Sequence, residues 1–429
     1  MTELSGSHGA VTRVGGLWLT LFTFAWLAIW TTQFTPIQLL LPLQLDTGRV
    51  GEDWIGGVVW SGVVLSVGGI IGVVAAPLAG RWSDRTRSRW GRRRPWVIGG
   101  SLLSALGLVV TGLATGPVAV GSAWIVVSVG ISVASAALTA MIADQLPETQ
   151  RGAASAAASS AQALGVVVGI GTIVLIGLGI FESYLVLAAL ILVIGTGTAL
   201  WLPDEPAHRM AVTTRGSSGR RSSLRDRDFL WLVSSRLIVN IGNAFGTALL
   251  LFFLLYGVKA PAAEAEDDLF FLIIVYTVFS VVAAILAGIA CDRGSADPMR
   301  RRRTLTALSA LFGTVWGVVI LISPSMVMTT VAAALMGIGY GAYTTVSLAL
   351  ATDLLKDPED HARDLGIVNV AAQLGQLVAP LLGAGLVALV GGFWLLFVGG
   401  IVLSAVGALM TYGIRVKAAV PQPRLAPAR

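Results

Sequence analysis

The chain has 429 residues, of which 55% are hydrophobic and only 12% are charged, and its mean hydropathy is +0.82. This composition excludes a water-soluble globular protein and indicates a membrane protein with many spans. The net charge of +6 is carried mainly by arginines between apolar stretches, where they orient the spans and contact anionic membrane lipid, so we expect no nucleic-acid partner. A single cysteine, Cys291, and three histidines outside the apolar stretches predict neither a metal site nor a cofactor.

Twelve apolar stretches are each long enough to cross a hydrocarbon core of about 30 Å. The first is too long for a signal peptide, so we predict a retained span. The predicted spans cover residues 16–45, 54–79, 95–115, 118–143, 154–179, 183–202, 229–257, 268–290, 304–323, 325–350, 363–389 and 392–415. We therefore predict an all-α protein with a six-helix bundle at 1–202, a polar cytoplasmic linker at 203–227 and a second six-helix bundle at 228–429.

The most basic segment, Gly80 to Pro95, lies between the second and third spans and contains seven arginines. Such a run cannot lie in hydrocarbon and marks a cytoplasmic loop. With that loop inside, all basic residues except Arg49, Arg236 and Lys259 fall in tails and loops of the same side. We therefore predict that both termini are cytoplasmic and that the protein lies in the plasma membrane.

Part of this loop recurs in the second half of the chain, before another run of arginines. Gly80, Asp84 and Arg85 return at the same spacing as Gly288, Asp292 and Arg293. The recurrence predicts two related halves, and hence two pseudo-symmetric bundles.

The twelve spans in two halves, the central linker and the motif G-x-x-x-D-R with G-R-R-R resemble the major facilitator superfamily. The form S-D-R-x-x-S-R-x-G-R-R-R-P, from Ser83 to Pro95, is similar to the branch of sucrose symporters and glycoside-pentoside-hexuronide transporters, as is Asp144 with Arg151. The resemblance implies two bundles that rock around a central site lined by spans 1, 4, 7 and 10.

The same resemblance implies a gating role for four loop residues, Asp84, Arg85, Asp292 and Arg293. In that family the loop Asp and Arg hold the inward gate through contacts with neighbouring helix ends. The alternative is that these arginines only fix the topology.

Ion coupling requires a titratable group that both aqueous sides reach in turn, and no Asp, Glu or His lies in the middle of a predicted span. The candidates are Asp144, which matches an acidic position in the sugar branch, and Asp46 at the outer end of span 1. Alternatively, Asp144 pairs with Arg151 or Arg85 and steadies the gate. Span 2 lacks the carboxylate that sodium-coupled relatives use, which leaves H+ as the candidate coupling ion.

Helical spacing places polar residues on one face of several spans. The stripes are Ser128, Ser132, Ser135 and Thr139 in span 4; Arg236, Asn240, Asn243 and Thr247 in span 7; Met336, Tyr340, Tyr343 and Ser347 in span 10; and Asn369, Gln373 and Gln376 in span 11. Span 1 adds Trp30, Gln33 and Gln38 around Pro36, which can kink the helix. Because polar groups are costly in hydrocarbon, these stripes either face a cavity or hydrogen-bond between helices.

We select twelve of these residues as candidate substrate contacts: Trp30, Gln33, Gln38, Ser132, Ser135, Arg236, Asn240, Asn243, Tyr340, Tyr343, Asn369 and Gln373. Arg236, the only charge inside a span, either extends towards the cytoplasmic end or holds a ligand oxygen or a carboxylate such as Asp144. The serines of span 4 can instead bond their own helix carbonyls.

Amide and hydroxyl groups beside aromatic rings suit a polyhydroxylated solute. The first hypothesis is a secondary transporter that moves a small polar solute, a sugar or glycoside, by alternating access. The alternatives are an exporter of lipophilic drug-like compounds and a non-transporting membrane sensor or scaffold on the same fold. No nucleophile, base and oxyanion set can be assembled from these spans, so we do not expect an enzyme.

Overall fold

The computed structural model describes residues 14–50, 53–202, 226–293, 297–354 and 361–415, and these residues form helices and short connections with no strand among them. Twelve helices within these ranges are long and apolar enough to cross a membrane, which confirms the predicted number and the all-α class. We number them as spans 1 to 12: Gly16–Leu45, Trp54–Arg85, Arg94–Leu113, Pro117–Gln145, Thr149–Ile176, Ile180–Trp201, Arg227–Val258, Ala265–Cys291, Pro298–Ile322, Met326–Leu354, Asp364–Val390 and Trp394–Tyr412.

Several helices extend further than their apolar stretches. Span 2 continues to Arg85, and span 9 begins at Pro298, ahead of its four arginines. Hydropathy locates the part of a helix that suits hydrocarbon, whereas backbone hydrogen bonding continues into the polar surroundings. We call the ends at which the even-numbered spans finish the basic ends, because the Gly80–Pro95 loop lies there.

Spans 1 and 7 are irregular on the side away from the basic ends. In span 1 the regular helix gives way to a π-helical turn at Pro36–Leu40, where proline has no N–H to donate, and then resumes at Leu41–Leu45. In span 7 the helix Arg227–Thr247 is followed by one turn at Leu250–Phe252 and a π-helical turn at Phe253–Val258. Such turns change the direction of the side chains beyond them.

The chain folds into two compact units. The first unit comprises Met1–Gly216, Thr247–Ile274 and Leu377–Phe393, and the second comprises Ser217–Gly246, Val275–Gln376 and Trp394–Arg429. Spans 7, 8 and 11 therefore contribute to both units. Residues 203–225 of the predicted linker lie outside the described ranges, and the division into halves at that linker stays a prediction.

Glycines bring neighbouring helices together within each unit. In the first unit, a Cβ atom at Gly165 of span 5 would lie 2.9 Å from the backbone nitrogen of Thr31 in span 1. In the second unit, a Cβ atom at Gly341 of span 10 would collide with the backbone of Ser280 in span 8. Small residues at such positions allow the backbones to approach closely, which is how membrane helices pack.

Candidate functional site

A partly buried polar network lies in the second unit, centred on Asn240 of span 7. The side chain of Asn240 is 1% exposed; its Nδ2 donates to the carbonyl of Arg236 at 2.7 Å, and its Oδ1 accepts from the hydroxyl of Tyr340 at 2.8 Å. Gln376 Nε2 donates to the same hydroxyl at 2.9 Å and approaches Asn240 Oδ1 at 3.4 Å. The network therefore joins spans 7, 10 and 11 through neutral groups.

Asn243 and two tyrosines extend this network along span 7. Asn243 Nδ2 lies 3.4 Å from the hydroxyl of Tyr276 in span 8, and the ring of Tyr276 stacks on Tyr340 with 6.5 Å between centroids. A cleft within the second unit is bordered by Asn243, Tyr340, Tyr343, Trp316, Met336 and Ser404. Three candidate contacts from spans 7 and 10 thus line one space.

Tyr343 has a second role in the core of the unit. Its side chain is fully buried, and its hydroxyl shares a hydrogen bond of 3.1 Å with Ser235 Oγ, which also donates to the carbonyl of Gly407 at 2.8 Å. These bonds link spans 7, 10 and 12 by hydrogen bonding between helices, the alternative to a substrate contact.

Arg236 carries the one charge in the interior of a span of this unit, among the residues described. It is 5% exposed, and its Nη1 donates to Ser347 Oγ of span 10 at 2.6 Å. Its Nε is fully enclosed and makes no hydrogen bond within the described ranges. The guanidinium group therefore lies inside the bundle beside the network of Asn240 and Tyr340.

The polar residues of span 11 differ in where their side chains lie. Asn369 and Gln373 are exposed on the surface of the described structure. Gln376, three residues further along the same stripe, donates to Tyr340 and so belongs to the network. The sequence therefore predicts the stripe but not which of its members joins the network. Tyr276 was missed, although Ser280 lies four residues further along span 8 and gives a weak polar spacing.

The candidates of the first unit lie on spans 1 and 4. Trp30 is half-buried, and its Nε1 donates to the carbonyl of Ala158 in span 5 at 3.1 Å. Gln33 and Gln38 are half-buried, and neither makes a side-chain hydrogen bond to the residues described. Ser135 donates to the carbonyl of Ser132 at 3.2 Å, a bond within its own helix. Ser135 and Thr139 of the stripe thus bond to their own helix, while the role of Ser132 stays a prediction.

Trp30 belongs to an aromatic column on one face of span 1. Successive rings four residues apart lie 4.8 to 6.3 Å apart between centroids along this face. The column consists of Trp18, Phe22, Trp26, Trp30 and Phe34. The two rings furthest along the chain, Trp30 and Phe34, are half-buried, while the others are enclosed.

An ion-pair cluster joins the Gly80–Pro95 loop to span 4 at the basic end of the first unit. Asp144 accepts from Arg92 Nη2 at 2.8 Å and from Arg93 Nε at 2.8 Å. Arg93, which is 4% exposed, also contacts Asp84 at 2.6 Å and donates to Ser83 Oγ at 2.8 Å. Arg93 therefore forms ion pairs with both Asp84 and Asp144, which the sequence analysis had selected.

The partners of Asp144 differ from the two that the sequence suggested. Arg151 Nε instead donates to the carbonyl of Leu146 at 3.1 Å, and Arg85 is exposed at the last position of span 2. Arg92 and Arg93 lie just before span 3, so the turn of the loop brings them to Asp144. The sequence did not indicate that Asp144 pairs with Arg92 and Arg93, which lie about 50 residues earlier in the chain.

The second unit contains a related but different arrangement at its basic end. Arg302 of span 9 contacts Asp353 near the end of span 10 at 2.6 Å, and Arg301 Nη1 donates to the carbonyl of Arg293 at 2.6 Å. Asp292 forms the last turn of the span 8 helix. An arginine following the loop thus again binds a carboxylate at the end of the fourth helix of the repeat.

Asp46 occupies the opposite end of the first unit, directly after span 1. It is 6% exposed, and its Oδ1 accepts from the hydroxyl of Tyr256 at 2.7 Å and from the backbone nitrogen of Gly48 at 3.1 Å. Tyr256 stacks on Trp54 of span 2 at 4.9 Å, and Trp54 stacks on Phe393 at 5.3 Å. A carboxylate and three rings therefore bind the final turn of span 7 to spans 1 and 2.

Comparison with known proteins adds short but specific sequence matches. The sucrose transport protein SUT1 of Oryza sativa subsp. japonica is 49% identical over 45 residues, which are 10% of this chain and 8% of that protein. The lactose permease of Lactobacillus delbrueckii subsp. bulgaricus is 51% identical over 37 residues, 9% of this chain and 6% of the permease. The general alpha-glucoside permease of Schizosaccharomyces pombe is 40% identical over 55 residues, 13% of this chain and 10% of that protein. The matched stretches thus span a tenth or less of these relatives' length.

Two solved structures share the fold over nearly the whole chain. A substituted form of the nucleoside transporter NupG superposes with a TM-score of 0.70 at 12% identity, covering 93% of this chain and 99% of that one. A bacterial homologue of the human lysosomal transporter Spinster gives 0.68 at 14% identity, covering 92% and 96%. The family profile described as Major Facilitator Superfamily matches residues 87–293 and 266–429. Because that profile covers well over half of an all-helical chain with twelve candidate spans, this integral membrane protein belongs to the major facilitator superfamily.

Proposed function

We propose that this protein is a secondary transporter that moves a small polar solute, a sugar or glycoside, across the membrane by alternating access. The observation that carries the proposal is the partly buried network of Asn240, Tyr340 and Gln376, in which Tyr340 also borders a small cleft of the second unit. Sugar hydroxyls both donate and accept, so amide and phenol groups can exchange their mutual hydrogen bonds for bonds to such a solute. The sucrose, lactose and alpha-glucoside named in the relatives support the same solute class.

The contacts at the two ends of the first unit support the gating part of the proposal. For the solute path to open away from the basic ends, the hydrogen bond between Tyr256 and Asp46 and the stacking on Trp54 have to break. At the basic end, Arg93 holds Asp84 and Asp144. We assign Asp144 to the gate rather than to coupling because two arginines already bind it, which leaves Asp46 as the candidate for H+ coupling.

The membrane orientation is also part of this proposal. Arginines concentrate in the tails and in the loops that follow the even-numbered spans. Because cytoplasmic loops carry the excess of positive charge, this pattern supports cytoplasmic termini and a plasma-membrane location.

Reconstitution tests the transport function directly. Purified protein in vesicles should take up labelled disaccharides, with faster uptake under an inward-directed proton gradient. Asn240→Ala should lower uptake by about five- to 150-fold, because a lost hydrogen bond to a buried polar group costs about 1–3 kcal/mol. Thr330→Ala in span 10, whose hydroxyl bonds only its own helix, is the control and should keep wild-type uptake at equal vesicle insertion.

Other results would contradict the proposal. Accumulation of lipophilic dyes in place of sugars would indicate the exporter. Absence of flux for every solute, with correctly inserted protein, would favour the sensor or scaffold.

A further inference from the structure

Arg236 presents a charge that its own bundle does not neutralise. Within the described residues of the second unit, no carboxylate oxygen lies within 4.0 Å of its guanidinium group, which donates instead to the neutral hydroxyl of Ser347. The side chain is nevertheless 5% exposed. A charged residue inside a membrane span is costly and faces a binding path or a counter-charge. The position of Arg236 therefore requires an anion from elsewhere.

The hydrogen-bonding capacity of Arg236 points in the same direction. Guanidinium is a planar fork of N–H donors, and here Nη1 uses one donor on Ser347 while Nε makes no hydrogen bond. A buried donor without an acceptor loses its hydration without compensation. A planar oxyanion satisfies several of these donors together through paired, charge-assisted hydrogen bonds.

The groups around Arg236 indicate what the anion is attached to. Asn240 donates to the backbone carbonyl of Arg236, so the amide and the guanidinium lie on adjacent turns, and Tyr340 of span 10 donates to that amide. Neutral amide and phenol groups match hydroxyls, and a single guanidinium matches a single negative charge. A phosphate ester, with close to two charges at neutral pH, would call for a second cation, and in the described part of this unit the other arginines of the spans lie near the helix ends.

We propose that the transported solute is a sugar acid or glycoside that carries one carboxylate, and that Arg236 binds this carboxylate. This inference rests on the proposed transport function and specifies its solute. Arg236 thereby distinguishes acidic from neutral sugars, while Asn240, Tyr340 and Gln376 bind the hydroxyl groups.

The test compares two solutes that differ only at one carbon. Vesicles with the full-length protein are given labelled methyl glucuronide or labelled methyl glucoside, which carries a hydroxymethyl group in place of the carboxylate. Wild-type protein should prefer the glucuronide at least about tenfold, since charge-assisted hydrogen bonds contribute about 1.5–3 kcal/mol. Arg236→Gln should lower glucuronide uptake more than glucoside uptake, so that the ratio of the two uptake rates falls towards one.

Two further variants keep the test decisive. Arg227→Gln removes an exposed arginine from the start of the same span and should keep the wild-type preference. Arg236→Lys retains the charge without the fork and should give an intermediate preference. If Arg236→Gln fails to insert, the lysine variant and a glucuronide-induced rise in the unfolding temperature of the wild type replace it.

The outcomes separate this inference from the proposed function. Equal uptake of both glycosides by wild type, or a preference that Arg236→Gln leaves unchanged, overturns the carboxylate assignment while sugar transport stands. Preference for methyl glucoside 6-phosphate over the glucuronide overturns it in favour of a phosphate ester. If neither glycosides nor disaccharides cross the membrane, the transport function itself fails.

Discussion

Single side chains of the polar network connect helices that are far apart in the sequence. The hydroxyl of Tyr340 donates to Asn240 and accepts from Gln376, so one oxygen atom joins three spans. Helical spacing predicts that Asn240 and Tyr340 each face inward. It does not predict that they touch, because contact depends on how each helix is rotated against its neighbour. For the same reason Gln376 was not separated from the uncovered Asn369 and Gln373.

Tyr340→Phe tests whether that hydroxyl contributes to both stability and binding. The substitution keeps the ring but leaves the buried amide of Asn240 and the half-buried amide of Gln376 without their shared partner, so we expect a loss of about 1–3 kcal/mol in the free energy of unfolding. We also expect a higher KM for the solute. Thermal unfolding in detergent and uptake kinetics measure the two effects. Tyr412→Phe, at an exposed tyrosine, is the control and should change neither; equal unfolding temperatures for all three proteins would refute the structural part.

At the scale of helices, hydropathy predicts the spans because the bilayer imposes their length and apolarity. It does not predict where span 2 ends, since its helix continues through Asp84 to Arg85. Nor does it predict the π-helical turns of spans 1 and 7, for which only Pro36 gives a local signal. Hydropathy also does not predict that Asp144 pairs with Arg92 and Arg93, because the conformation of the loop before span 3 determines this contact.

Helix contacts make opposite predictions for two glycines. Glycine to alanine in a helix favours folding by about 1 kcal/mol when the new methyl group has room. Gly366→Ala in span 11 meets nothing within 4 Å and should raise the unfolding temperature slightly. Gly341→Ala would drive a methyl group into the backbone of Ser280 and should lower it. A rise for Gly341→Ala would contradict the close approach of spans 8 and 10.

The contact between Tyr256 and Asp46 permits a test of opening at the end away from the basic loop. Tyr256→Phe removes the hydrogen bond while the ring stacking on Trp54 is retained. In a Cys291→Ser background, a cysteine placed at Gln38 should react several times faster with a water-soluble thiol reagent supplied from that side. The same cysteine in a Tyr412→Phe background is the control. Unchanged reactivity would show that this hydrogen bond does not restrain the end.

At the scale of the whole molecule, the distribution of arginines predicts the orientation in the membrane. Short epitope tags at both termini should be reached by antibodies only after the cell membrane is permeabilised, because the basic ends face the cytoplasm. A tag between spans 3 and 4, beside Gly116, should be reached in intact cells. Labelling of either terminus in intact cells would reverse the assignment.

The enclosure of Arg93 has a consequence for the conditions in which the basic end operates. Exposed charges lose most of their attraction as ionic strength rises, with a Debye length of about 8 Å at physiological salt. Arg93 is 4% exposed and Asp144 is largely covered, so counterions have little access to the contact between them. Arg87 and Arg89 of the same loop are open to solvent. A higher salt concentration should therefore weaken the attraction of Arg87 and Arg89 to lipid headgroups. The ion pair between Arg93 and Asp144, which joins the loop to span 4, should persist.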